Sequence, residues 1–132
     1  MSPEKLLYAK THEWVGLESS GGEKIATVGV SAFAVEALTD LVFMELPAVG
    51  RQVRAGESFG EIESVKAVSD LYSPVTGEIT AVNAELPDHL ERLSEDPYGA
   101  GWVAKIRITD DSSLKDLLDH AAYEKQCAEE GH

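Results

Sequence analysis

With a single cysteine, Cys127, in 132 residues, the chain can form no internal disulfide, which points to a reducing compartment. It has no apolar run near the roughly 20 residues that a membrane-spanning helix needs. Cations are scarce: 11 Lys and Arg stand against 24 Asp and Glu, a formal net charge of −13. Nucleic-acid binding requires Lys and Arg to displace phosphate counterions, so DNA or RNA is a poor partner, and neither a nucleic acid nor a membrane is expected as a partner. Neither Gly-x-Gly-x-x-Gly nor a phosphate-loop pattern occurs, and strands do not alternate with helices as a parallel nucleotide-binding sheet requires. The histidines are His12, His89, His120 and His132, and no two of them share metal-ligand spacing with a third donor. His12-Glu13 lacks the second histidine of a zinc-protease helix, and Cys127 lacks a resolving cysteine. The expectation is therefore no metal and no self-contained catalytic centre.

The first residues, Met1 to Lys5, carry neither a signal peptide's apolar core nor an Arg-rich transit pattern. The expected location is the bacterial cytoplasm, or the mitochondrial matrix only if a transit peptide has been removed. The length suits one domain spanning residues 1–132. An acidic surface of this kind suits partners with basic docking faces.

Short apolar runs between Gly and Pro turns dominate the chain. A strand starting at Trp14 and Val15, the turn cluster Ser19 to Gly22 and a strand from Lys24 to Val30 read as a hairpin. Ser31 is placed to cap a short helix on which Phe33, Ala34, Ala37 and Leu38 recur at helical spacing, stopping near Thr39-Asp40. Leu41 to Leu46 is the most apolar run and reads as a buried strand ended by Pro47. Further strands are expected near Val53, over Glu78 to Val82, and over Trp102 to Ile108 with Trp102, Ala104, Ile106 and Ile108 on one face. Asn83 caps a helix through Leu86, or a helix follows Pro87 through Leu90 and Leu93. A final helix begins at Asp111, Ser112 or Ser113, buries Leu114, Leu117, Leu118, Ala121 and Ala122, and frays from Cys127. The fold class is all-β, a sandwich or flattened barrel with accessory helices, the last at the C-terminus.

Function concentrates around Lys66. Phe59, Ile62 and Val65 precede it, Val68 and Leu71 follow, and Ser73 to Gly77 breaks the chain, so two strands meet at a tight turn with Lys66 at the tip. A lysine at a turn is ordinarily a solvated charge, yet a hairpin tip also offers its amine to a modifying enzyme. Gly60 to Ala67 echoes Gly77 to Ala84, a hint of paired hairpins that shared β-propensity alone can produce.

Several blocks together resemble the glycine cleavage system H-protein family of lipoyl carriers. They are Thr11-His12-Glu13-Trp14-Val15, Val28-Gly29-Val30, Val42 to Gly50, Glu63-Ser64-Val65-Lys66-Ala67-Val68-Ser69-Asp70, Ser73 to Glu78, Val82-Asn83 and Asp96 to Trp102. They occur in the family's order and cover the chain from about Tyr8 to Tyr123. The resemblance implies a lipoyl-domain-like β-sandwich with lipoate amide-linked to Lys66, recognised within Glu63, Ser64, Val65 and Ala67. It implies a cleft for the arm at Thr11, Glu13 and Asp70, where the two carboxylates hold an ammonium. It also implies partners: a pyridoxal-phosphate glycine decarboxylase, a tetrahydrofolate-dependent aminomethyltransferase, dihydrolipoyl dehydrogenase and lipoylating enzymes. The protein is then a monomeric carrier and co-substrate rather than an enzyme. Departures occur at Thr39, where the family often has glycine, at Phe33, commonly tyrosine or histidine, and over Pro87 to Glu95.

A competing reading makes the chain a lipoate-relay or lipoate-binding carrier for another system, such as 2-oxoacid dehydrogenases or sulfur oxidation. Biotin carriage is disfavoured because Val65 and Ala67, not methionines, flank the lysine. An enzyme using Lys66 as an amine nucleophile needs a desolvating pocket, which a turn tip does not provide.

Overall fold

The computed structural model describes residues 2–130; Met1, Gly131 and His132 lie outside them. Nine strands form two antiparallel sheets. They are β1 (Leu7–Tyr8), β2 (Glu13–Ser20), β3 (Glu23–Val30), β4 (Leu41–Glu45), β5 (Gln52–Val53), β6 (Ser58–Ser64), β7 (Val68–Tyr72), β8 (Thr76–Val82) and β9 (Ala104–Asp110). The larger sheet runs β1-β2-β3-β9-β8-β5 and the smaller β4-β6-β7. Among the described residues three α-helices accompany them: α1 (Ala32–Leu38), α2 (Glu91–Glu95) and α3 (His120–Glu130). The all-β sandwich with accessory helices is thus the observed class, and among the described residues no helix is long and apolar enough to cross a membrane.

Strand alternation builds two cores. Val15, Val28, Ile79 and Ile106 of the larger sheet meet Met44, Ile62 and Leu71 of the smaller in the sandwich interior. Each such buried aliphatic side chain contributes about 1.5–3 kcal/mol relative to exposure. Trp14, next to Val15, points the other way, as successive strand residues do. It joins Leu6, Tyr8 and Tyr123 in a second, aromatic cluster. That cluster seats α3 on the outer face of the larger sheet. The β2–β3 turn is Gly21-Gly22, both at positive φ (58° and 84°), the two-residue hairpin geometry that glycine supplies without strain.

The Gly60 and Gly77 echo has a local cause. The two stretches lie in different sheets and do not pair. Each glycine adjoins a register shift, and a Cβ there would stand 2.4 Å from the Glu45 carbonyl oxygen or 2.1 Å from that of Arg107. Both are places where a neighbouring backbone passes too close for a side chain.

Five sequence expectations are corrected. Leu41–Glu45 is not a buried strand: it is an edge of the smaller sheet with a bulge after Leu41, and Val42 and Phe43 are exposed while Met44 is buried. On α1 the buried residue is Val35, whereas Ala37 is exposed. Asn83 does not cap a helix with its side chain. Its amide donates to the carbonyls of Ala100 (2.9 Å) and Trp102 (3.0 Å), pinning the end of β8 to the 96–102 loop. A 3₁₀ turn, Leu86–Asp88, and α2 share the following segment. The last strand begins at Ala104, so Trp102 packs with the aromatic cluster rather than with Ala104 and Ile106. The final helix is broken in two, a 3₁₀ turn at Ser112–Asp116 and then α3. Between them Leu118 exchanges backbone hydrogen bonds with Tyr8 (2.7 and 2.8 Å), which no helical residue could do. Asp119 accepts from the Ala122 N–H at 2.8 Å and caps α3, which continues past Cys127 to Glu130.

Candidate functional site

The β6–β7 hairpin carries Lys66 in its three-residue loop, exposed. Ser64 organises that loop. Its hydroxyl accepts from the backbone N–H of Ala67 (3.1 Å) and of Lys66 (3.3 Å). The Ser64 N–H donates to the Ala67 carbonyl at 2.8 Å. The Val65 N–H donates to the Asp40 carbonyl at 3.0 Å, tying the loop to the residue that follows α1 and Thr39. The lysine thus stands on a braced turn. Val65 and Val68 beside it are 66% and 62% exposed, an unusual state for valine next to a turn. Glu63 lies in a cross-strand row between Phe43 and Val68, and the next row along the same face is Glu45, Glu61 and Asp70. The outer face leading to Lys66 is therefore apolar near the tip and acidic behind it.

A cleft of about 350 Å³ lies between this smaller sheet, the start of β2 and α1. Thr11, Glu13 and Asp70 all line it, as do Phe33, Leu38, Ile62 and Leu71. The three candidate arm-cleft residues are thus brought together, and Lys66, Glu63, Ser64, Val65 and Ala67 lie outside the cleft on the hairpin. Along extended β7, Val68 beside the tip stands roughly 7 Å from Asp70. Asp70 sits on the cleft's rim, shared with the acidic outer face.

Glu13 is the buried group, 4% exposed. It sits where β2 points its side chain to the same face as Val15, toward the interior. One carboxyl oxygen accepts the Thr11 hydroxyl and the other accepts the Tyr72 N–H at 3.2 Å. Burial pushes its pKa up to about 7, against the opposing pull of those two donors. Among the described residues no ion pair involves Glu13. A buried carboxyl with donors but no counter-charge either keeps its proton or takes up a cation. The apolar wall beside it suits a hydrocarbon arm.

Two lining residues were missed by sequence reasoning as site residues. His12 lies inside the Thr-His-Glu block, and its position between two site residues was the available signal. Glu130 carried none, because it reaches the cleft only through the docking of α3. Among the described residues no cluster of three or more His, Cys, Asp or Glu could hold a metal ion.

A family model described as "Glycine cleavage H-protein" matches residues 6–130. The chain is 56% identical over 129 residues to a protein from Rhodopirellula baltica named glycine cleavage system H protein, covering 98% of this chain and 97% of the relative. It is 50% identical over 128 residues to the like-named protein of Rubrobacter xylanophilus, covering 97% and 96%. The crystal structure of a glycine cleavage system H protein from Mycobacterium marinum superposes with a TM-score of 0.84 at 41% identity, covering 95% of this chain and 98% of that one.

Proposed function

Because the chain belongs to the glycine cleavage H-protein family, we propose that it is a lipoyl carrier of glycine cleavage, with lipoate amide-linked to Lys66. The observation that carries the reading is the pairing of a braced, exposed lysine with a nearby cleft that holds a buried, uncompensated carboxylate. A lipoyl group on Lys66 would supply a dithiolane: its S–S bond would be reduced as one sulfur took the aminomethyl group of glycine with loss of CO2, tetrahydrofolate would take the one-carbon unit with release of ammonia, and the dithiol left behind would be the substrate that dihydrolipoyl dehydrogenase reoxidises.

The chain's own residues present, shelter and release. Ser64 holds the turn so that the Lys66 amine faces lipoylating enzymes, and the exposed Val65, Val68 and Phe43 give those enzymes an apolar grip. The acidic row Glu45, Glu61 and Asp70 favours partners with basic docking faces. Glu13, oriented by Thr11 and the Tyr72 N–H, binds the ammonium, with Asp70 at the rim. Phe33, Leu38, Ile62 and Leu71 keep water from the arm. Tethering raises the arm's local concentration at each docked enzyme, and the protein itself acts as a monomeric co-substrate in the cytoplasm.

Intact mass of the protein from a lipoate-replete host tests this directly. A lipoyl adduct on the wild-type chain and none on Lys66→Arg is expected, and an unmodified wild-type chain sinks the proposal. The lipoylated protein should then support glycine–CO2 exchange by purified glycine decarboxylase. Modification without exchange shifts the reading to a relay carrier for another lipoyl system.

A further inference from the structure

Tyr123, Gln126 and Glu130 recur at i, i+3 and i+7 on α3, so they share one face. All three reach the loop that leads into β2. The Gln126 side-chain amide donates to the Lys10 carbonyl at 2.9 Å. Glu130 faces His12 Nε2 at 3.3 Å. The Tyr123 hydroxyl lies 2.7 Å from His12 Nδ1 and 2.5 Å from Ser31 Oγ. Ser31 in turn caps α1 by accepting the Ala34 N–H, and its own N–H donates to the His12 carbonyl at 3.0 Å. One buried phenol therefore joins the β2 entry, the cap of α1 and α3, three of the elements around the cleft.

The loop needs such a tie. His12 has φ 81°, a left-handed conformation that a non-glycine residue holds only when its surroundings impose it. That conformation sends the imidazole toward Phe33 (ring centroids 5.2 Å apart) and Tyr123, while Thr11 and Glu13 meet each other at the cleft. Burial raises the Tyr123 pKa, so the phenol keeps the proton it shares across the network. The phenol's ring is held separately, stacked on Tyr8 at 4.3 Å and 3°, and the Tyr8–Leu118 bridge anchors the start of α3. The helix thus also keeps contacts that do not involve the hydroxyl.

We propose that the Tyr123 hydroxyl is the positioning group of the cleft, holding the left-handed His12 turn against the cap of α1 so that the Thr11–Glu13 pair faces the cargo. The link to cargo rests on the proposed carrier function. The positioning itself is readable in the unmodified protein.

The experiment compares unmodified full-length wild type with Tyr123→Phe. Circular dichroism and melting establish that the variant is folded. Amide hydrogen exchange at His12 and Ser31, the NMR titration midpoint of the Glu13 side-chain carbon, and binding of hexylammonium chloride are then read. Expected are faster exchange at both amides, a Glu13 midpoint moved from near 7 toward the ordinary carboxylate range as water enters, and hexylammonium binding weakened about tenfold, the factor corresponding to one lost hydrogen bond. A folded variant with unchanged exchange and an unchanged Glu13 midpoint overturns the proposal. If Tyr123→Phe does not fold, His12→Asn removes the imidazole partner while tolerating the left-handed conformation and leaving the Tyr8 stack, and the Ser31 amide and Glu13 carbon decide in the same way. If wild type does not bind hexylammonium, the cargo reading of the cleft fails, and exchange and titration still decide the role of Tyr123.

Discussion

Glu13 is where burial and chemistry conflict. Its folded pKa near 7 lies above the 4.5 of an unperturbed glutamate, so between those values the folded chain binds more protons than the unfolded one. The stability this contributes is fully present below about pH 4.5 and is lost as pH rises through about 7. The ionised form therefore costs the empty protein on the order of 3 kcal/mol at pH 8, a cost that the proposed cationic cargo would offset. Glu13→Gln should flatten the pH dependence of unfolding between pH 4.5 and 7 and be the more stable chain at pH 8. The same substitution should shorten the lifetime of the aminomethyl-loaded form. Chemical denaturation across that pH range and the ammonia release rate measure the two effects. A variant with wild-type pH dependence would show that the carboxylate is not the buried charge argued for. Glu13 was legible because its block is specific; its burial was not, since that depends on Tyr72 donating to it across 59 positions of sequence.

At the scale of elements, α1 shows how a local rule and a family departure coincide. Ser31 caps its start, as its sequence position predicts. Its end is Thr39, with φ 64° and ψ −127°, a region that suits glycine and strains a β-branched residue. The resemblance leads one to expect glycine here, a residue that holds these dihedral angles without strain. Thr39→Gly should relieve roughly 1–3 kcal/mol of strain against about 0.5–1 kcal/mol of added chain entropy, a net gain near 1 kcal/mol. For a chain of this size that corresponds to roughly 4 °C in Tm, measurable by calorimetry. A lowered Tm would mean that Asp40, which braces the Lys66 turn through the Val65 N–H, had been disturbed instead. The hairpins were legible because period-2 patterns and turn residues are local. The break in the last helix was not, because Leu118 is taken out of it by a strand near the other end of the chain.

At the scale of the molecule, a net charge of −13 opposes compaction through self-repulsion and favours basic partners. Salt screens both effects, with a Debye length of about 10 Å at 0.1 M and 3 Å at 1 M. Raising sodium chloride from 50 to 500 mM should therefore raise Tm by a few degrees while weakening association with the decarboxylase and the aminomethyltransferase proposed as partners. Thermal melts and titration calorimetry on one preparation test the pair, and a Tm that falls with salt would contradict the repulsion argument. From residue order alone came the all-β class, the turn that presents Lys66 and the blocks that mark the family, because periodicity, turn chemistry and contiguous motifs act over a few positions. Folding assembled the cleft: Thr11 and Glu13 face Asp70 through the packing of two sheets, and α3 brings Tyr123 and Glu130 to His12 from 111 and 118 positions away. Such contacts arise from the registration of buried faces, and no local pattern encodes which distant side chain will complete a site.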